Sequence, residues 1–171
     1  NGKYNSFFDS GALEEEKSFK EGAEDGIYTS YYKIGKTFKE YIISLNEGAI
    51  VGDVHQYYVS GELKYSAPYI NGLVDGKVKT FYKNGNIESI TENKNGEFNG
   101  NYLSYHKNGE IEEEGQYEKG IKVGLWKQYF SNGNIKYEYS FLDDELNGSY
   151  LEYNSNGKLL SDFTYKRDNI T

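Results

Sequence analysis

Glycine recurs along this chain with a period of 24 residues. Gly2, Gly26, Gly52, Gly76, Gly100, Gly124 and Gly148 are spaced 24, 26, 24, 24, 24 and 24 apart. Nine residues after each stands a second glycine: Gly11, Gly35, Gly61, Gly85, Gly109, Gly133 and Gly157. A third series, Gly22, Gly48, Gly72, Gly96 and Gly120, precedes the next repeat by four residues. Of the 20 glycines only Gly115 falls outside these series. A fixed period of this length constrains the fold strongly, because each repeat must be one supersecondary unit that stacks on its neighbours.

Side chains keep the same period. Two residues after each opening glycine comes Tyr4, Tyr28, Val54, Val78, Tyr102, Trp126 or Tyr150. Then follow the pairs Phe7-Phe8, Tyr31-Tyr32, Tyr57-Tyr58, Phe81-Tyr82, Tyr105-His106, Tyr129-Phe130 and Tyr153-Asn154. An aliphatic residue usually follows the second glycine (Leu13, Leu63, Ile87, Ile111, Ile135, Leu159), and six residues later an aromatic usually returns (Phe19, Tyr69, Tyr117, Phe141, Tyr165). Aromatic residues make up 17% of the chain within a hydrophobic total of 36%, so tyrosine rings stand in for a conventional aliphatic core.

The dipeptides Asn84-Gly85, Asn108-Gly109, Asn132-Gly133 and Asn156-Gly157 predict two-residue type I′ turns, where both central residues need positive φ. Gly85, Gly109, Gly133 and Gly157 are thereby assigned as structural turn residues. Gly109→Val is expected to damage the fold more than Gly115→Val, which lies off the period on an outgoing strand. Asp25-Gly26, Asp75-Gly76, Asn99-Gly100 and Asn147-Gly148 predict the same turn chemistry at the repeat junctions. No glycine-free run exceeds 14 residues, and the aromatic content favours strands over helices.

A lone hairpin is marginal in water, so the repeats must pair edge to edge. The expected fold is all-β: an elongated single-layer antiparallel sheet, or solenoid, of seven β-hairpin repeats with fourteen strands, forming one repeat domain over residues 1–171. In the second repeat two extra residues fall between Gly35 and Gly48, predicting a bulge or longer loop within Lys36 to Glu47. The last two repeats carry Asp144 and Asp168 in place of the third glycine.

The pattern G-x-aromatic-x-x-Y-[YF]-x-N-G-x-[IL], best seen from Gly100 to Ile111 and from Gly124 to Ile135, resembles the MORN repeat. The likeness is in particular to the bacterial variant found in YwqK-like proteins, and it covers residues 2 to 171. The resemblance implies a repeat scaffold used for protein–protein contacts, for membrane association or as an appendage to an enzyme. YwqK-like proteins are commonly labelled antitoxins.

The chain carries 19 Lys+Arg against 27 Asp+Glu, a net charge of −8, which disfavours nucleic acid and anionic membranes and makes a basic protein the natural partner. It has no cysteine, hence no disulfide framework and no thiolate metal site, and its compartment is left open. An antitoxin-like protein would be cytoplasmic; removal of a signal peptide would mean export. No catalytic residues, metal site or cofactor are assigned. His55 and His106 stand in different repeats at different offsets, His106 as a structural substitute in the aromatic pair and His55 on a strand facing solvent. The acidic runs Glu14-Glu15-Glu16, Glu112-Glu113-Glu114 and Asp143-Asp144-Glu145 read as solvated strand faces, since consecutive strand residues point to opposite sides. Asn147 and Asn169 match the glycosylation sequon, and the first is discounted because its asparagine serves a repeat turn.

A single-layer sheet cannot cover both of its faces, so one face is expected to leave tyrosines and Trp126 partly exposed as a binding surface. The candidates are Tyr28, Tyr31, Tyr32, Tyr57, Tyr58, Phe81, Tyr82, Tyr102, Tyr105, Trp126, Tyr129, Phe130, Tyr150 and Tyr153. The expected function is a non-enzymatic scaffold for protein–protein binding, of the antitoxin or immunity kind, that holds a basic partner. The alternatives are an exported or cell-surface adhesion module and a membrane-associated platform for a separate catalytic domain.

Overall fold

The computed structural model describes residues 1–33 and 38–171, and every regular element among them is a β-strand. The chain divides into two compact units, Asn1–Gly85 and Asn86–Thr171. The first contains β1 (Gly2–Phe7), β2 (Leu13–Lys20), β3 (Ala23–Glu24), β4 (Gly26–Tyr31), β5 (Lys39–Asn46), β6 (Ala49–Ile50), β7 (Gly52–Tyr57), β8 (Leu63–Ile70), β9 (Leu73–Val74) and β10 (Gly76–Phe81). The second contains β11 (Ile87–Lys94), β12 (Glu97–Tyr105), β13 (Ile111–Glu118), β14 (Ile121–Tyr129), β15 (Ile135–Leu142), β16 (Glu145–Tyr153), β17 (Leu159–Lys166) and β18 (Asn169–Ile170). Within each unit consecutive strands pair antiparallel in an open hairpin array, the fold class that the glycine period predicts. The short strands β3, β6 and β9 are the leading ends of β4, β7 and β10, cut off at the bulge through which β12, β14 and β16 run unbroken. Counted that way, the 18 strands reduce to the expected fourteen plus β18.

The two-residue turns predicted at the Asn-Gly pairs and at the repeat junctions fall instead at the third glycine series. The Asn-Gly turns are three-residue loops. At Lys107-Asn108-Gly109, Gly109 N donates to His106 O at 2.8 Å and His106 N donates to Glu110 O at 2.8 Å, while Gly109 alone has positive φ, at 92°. Asn108 keeps negative φ, so this is a turn closed by a glycine bulge and not a type I′ turn. The two-residue turns with both φ positive are those of the third glycine series, such as Glu47-Gly48 at 50° and 81°. Loop length decides between the two types: five residues separate Tyr105 from Ile111, but only two separate Asn46 from Ala49. Asp143 and Asp144 adopt the same conformation at 55° and 66°, and the Asp144 carboxylate, which glycine lacks, accepts from Lys122 N at 2.6 Å.

The opening glycines are likewise not turn residues. Gly100 lies inside β12, opposite a register shift between Thr91 and Asn93, and holds φ at 119° in a β-bulge. In the second repeat Lys39–Asn46 is an eight-residue strand like its counterparts, and part of the segment expected to hold a bulge or longer loop falls on residues 34–37, which lie outside the described residues.

Register assigns the two sheet faces. In the second unit Tyr102 pairs with Gly115, Trp126 with Tyr139, Tyr139 with Tyr150 and Tyr150 with Phe163, a row of rings on one face. Tyr117, Phe141 and Tyr165 sit beside it, each paired with an opening glycine. Trp126 has no exposed surface, and its ring lies 5.2 Å from Tyr117, 5.5 Å from Tyr102 and 6.1 Å from Phe141. Such ring pairs contribute about 0.5–1.5 kcal/mol each beyond area burial. In the first unit the corresponding row runs Tyr4–Lys17, Tyr28–Ile43 and Val54–Ala67, with Val54 and Ala67 buried.

Candidate binding surface

The fourteen aromatic candidates divide by register into three sets. Tyr28, Tyr102, Trp126 and Tyr150 stand on the ring face. Trp126 is a correction: it was expected to be partly exposed, and it is fully buried because Gly115 on the neighbouring strand leaves the space its indole fills. Tyr31, Tyr57, Phe81, Tyr105, Tyr129 and Tyr153 occupy the opposite face. There Tyr31 donates to Glu16 Oε2 at 2.5 Å, Tyr129 to Glu114 Oε1 at 2.5 Å and Tyr153 to Glu138 Oε2 at 3.1 Å. Each of these bonds spans the same fifteen-residue offset.

Tyr32, Tyr58, Tyr82 and Phe130 sit at the loop edge. Tyr32 donates to Tyr57 O and Tyr58 to Phe81 O, both at 2.7 Å, so each hydroxyl is tied to the main chain of the following repeat. His106 replaces tyrosine in this position, with Nε2 2.9 Å from Tyr129 O. The loop asparagines make parallel links. Asn108 Nδ2 donates to Ser131 O at 2.8 Å and Asn132 Nδ2 to Ser155 O at 3.0 Å.

Of the acidic runs expected as solvated strand faces, Glu113 and Glu114 alternate between the faces, whereas Asp143 and Asp144 form a two-residue turn and a bulge sets Glu14 on the same side as Glu15. Glu113 lies on the ring face, accepting from Gln128 Nε2 at 3.0 Å and from the Tyr139 hydroxyl at 2.9 Å, whereas Glu114 points the other way toward Tyr129. Glu112 lies 3.7 Å from His106 Nδ1. In the first run Glu15 meets Lys17 on the ring face, Glu16 meets Tyr31 behind it, and Glu14 accepts from Ser6 Oγ at 3.2 Å. Burial and these carboxylates keep the phenols neutral: Tyr31 is pushed up to about 12, and Tyr129 and Tyr139 are raised further.

The ring face also holds the chain's own ammonium groups. Lys17 Nζ sits 3.1 Å from both Glu15 and Glu24 and 5.1 Å from the centre of the Tyr4 ring; Glu24 and Glu15 raise its pKa. Lys122 Nζ lies 4.0 Å above Trp126 and 5.3 Å from Phe141. Lys17, Lys122, Tyr41, Tyr139 and Gly115 were not picked out as site residues from sequence. The alternation Tyr137, Tyr139, Phe141 along one strand was the available signal for the ring row, since period two places all three on one face.

The family model described as the MORN repeat variant matches residues 74–95, 98–119, 122–143 and 146–167, together just over half of the chain. Each matched stretch ends on the first residue of a two-residue turn or just beyond a strand end, as Lys119 and Asp143 illustrate. No curated protein matches the chain.

Proposed function

The chain belongs to the MORN repeat variant family, whose repeats build binding scaffolds, and from that premise we propose that it is a non-catalytic scaffold for a basic protein partner. The observation that carries this reading is the ring face itself. It combines tyrosine rings with carboxylates, and the cations already docked on it are lysine side chains, Lys17 and Lys122. Rings and carboxylates together attract ammonium and guanidinium groups, the first through the ring quadrupole and the second by charge. A net charge of −8 extends the same preference to the approach of a whole protein. Inhibition of a basic toxin or nuclease, as in an antitoxin of the YwqK-like kind, is the form of scaffold that suits this surface.

The test is photo-crosslinking in extracts of the source organism, with a photoreactive residue at Tyr102 or Tyr150 on the ring face and at Leu103 or Leu151 on the opposite face. The expected partner is a protein of net positive charge, captured from the ring face, whose binding to the purified chain weakens with salt. Capture only from the opposite face, or of acidic partners only, overturns the reading. So does a turnover by the purified chain that is lost in His55→Ala or His106→Ala.

A further inference from the structure

A groove of about 580 Å³ in the first unit is lined by Tyr4, Tyr28 and Tyr41 together with Glu14, Glu15 and Glu40. We infer that this groove seats a lysine or arginine side chain of a basic peptide segment, an inference that rests on the binding function proposed above. The groove has its depth because Ser30 stands where the second unit has Gln128. Opposite Glu113 the second unit places Gln128, whose amide reaches the carboxylate at 3.0 Å. Opposite Glu15 the first unit places Ser30, whose Oγ is buried and has no hydrogen-bond partner. The bulge between Ser6 and Phe7 brings Glu14 to the same side as Glu15.

No basic side chain is among the lining residues. Two ammonium groups border it, Lys17, which Glu15 shares with Glu24 outside the groove, and Lys33, whose Nζ lies 5.9 Å from the ring of Phe8 in the lining, so the three carboxylates of the lining outnumber them. Tyr4 is 46% exposed and its ring already carries Lys17 Nζ at 5.1 Å. The groove repeats that chemistry over a larger volume, with further rings, among them Tyr28 and Tyr41, and two further carboxylates, and an incoming cation finds both its charge and its apolar stem matched. The occupant is therefore a flexible chain bearing a cation and not an anion or an apolar helix.

The test uses the full chain and blocked tripeptides, acetyl-Gly-Lys-Gly-amide and its arginine form, against the norleucine form, which keeps the stem and removes the charge. Binding is followed by NMR of the tyrosine rings. The cationic peptides are expected to shift Tyr4, Tyr28 and Tyr41, and the double variant Glu14→Gln/Glu40→Gln is expected to weaken binding roughly ten-fold, as removal of two partly exposed charge contacts allows. Equal binding of the norleucine peptide, or unchanged binding by the double variant with its native spectrum intact, overturns the inference. Shifts confined to Tyr102 and Tyr150 overturn the groove but leave the basic-partner reading standing. Absence of shifts at every ring removes both.

Discussion

A β-carbon built on Gly115 would lie 2.2 Å from Cδ2 of the Trp126 indole. Gly115 is the one glycine off the period, and its φ is not in the left-handed region, so its role is steric and not conformational. Gly109 is the reverse case: its φ is 92°, yet a β-carbon there meets nothing within 4 Å. Gly115→Val must displace a fully buried ring and is expected to destabilise by about 3 kcal/mol or more. Gly109→Val is expected to cost about 1–2 kcal/mol, the penalty of an L-residue in the left-handed region. Urea unfolding of the two variants checks the order, which is opposite to the one that turn chemistry alone predicts. Trp126→Phe should relieve part of the loss in Gly115→Ala, and additive losses would show that the two residues are not coupled.

The loop asparagines give a second discriminating pair. If Asn132 served a positive φ, glycine would replace it without loss. Its φ is negative, and its side chain accepts from Asn134 N at 3.1 Å while donating to Ser155 O at 3.0 Å. Asn132→Gly is therefore expected to lose as much as Asn132→Ala, about 1–2 kcal/mol from two hydrogen bonds. A glycine variant as stable as the wild type would restore the type I′ reading.

At position 106 the imidazole does what a hydroxyl does in the first unit. His106→Tyr is expected to keep full stability, since Tyr32 and Tyr58 reach the equivalent carbonyl at 2.7 Å. His106→Phe should lose about 1 kcal/mol, the worth of one hydrogen bond. Thermal melts of the two variants side by side measure this, and equal melting temperatures would mean that the link to Tyr129 O contributes nothing.

Alkaline pH should unfold the chain by way of its phenols. Their folded pKa values are raised above the ordinary 10.0, so the neutral form is the one that folding favours. That stability is fully present below about pH 10 and is lost as pH rises through about 12 for Tyr31, and higher for Tyr129 and Tyr139. Tyrosinate absorbance should rise in the native chain only above the pH at which it rises in urea. Coincident titration curves would show that the bonds to Glu16, Glu113 and Glu114 do not hold in solution.

Much of this architecture was legible in the sequence because period and alternation are properties of order alone. The hairpin repeat, the strand on each side of Gly109 and the opposite orientation of neighbours such as Glu113 and Glu114 all follow from counting. The turn types did not follow, because Asn-Gly suits more than one turn and only the distance between strand ends chooses between them. Burial of Trp126 was also out of reach. It depends on register, which sets Gly115 beside it, and a shift of one residue would have placed another side chain there. The groove at Glu14 and Glu40 was hidden for a similar reason: its depth comes from Ser30, a residue with no chemical prominence in the sequence.

The links at the loop edge all run one way. Tyr32, Tyr58, His106, Asn108 and Asn132 each reach a main-chain oxygen 23 or 25 residues later, never a particular side chain. A duplicated 24-residue segment therefore brings its own donors and offers the carbonyls its predecessor needs, whatever residues it carries elsewhere. Gene duplication can lengthen or shorten such a chain without new joints having to evolve. The side chains free to drift apart between copies are those, like Ser30 and Gln128, that make one stretch of the surface unlike another.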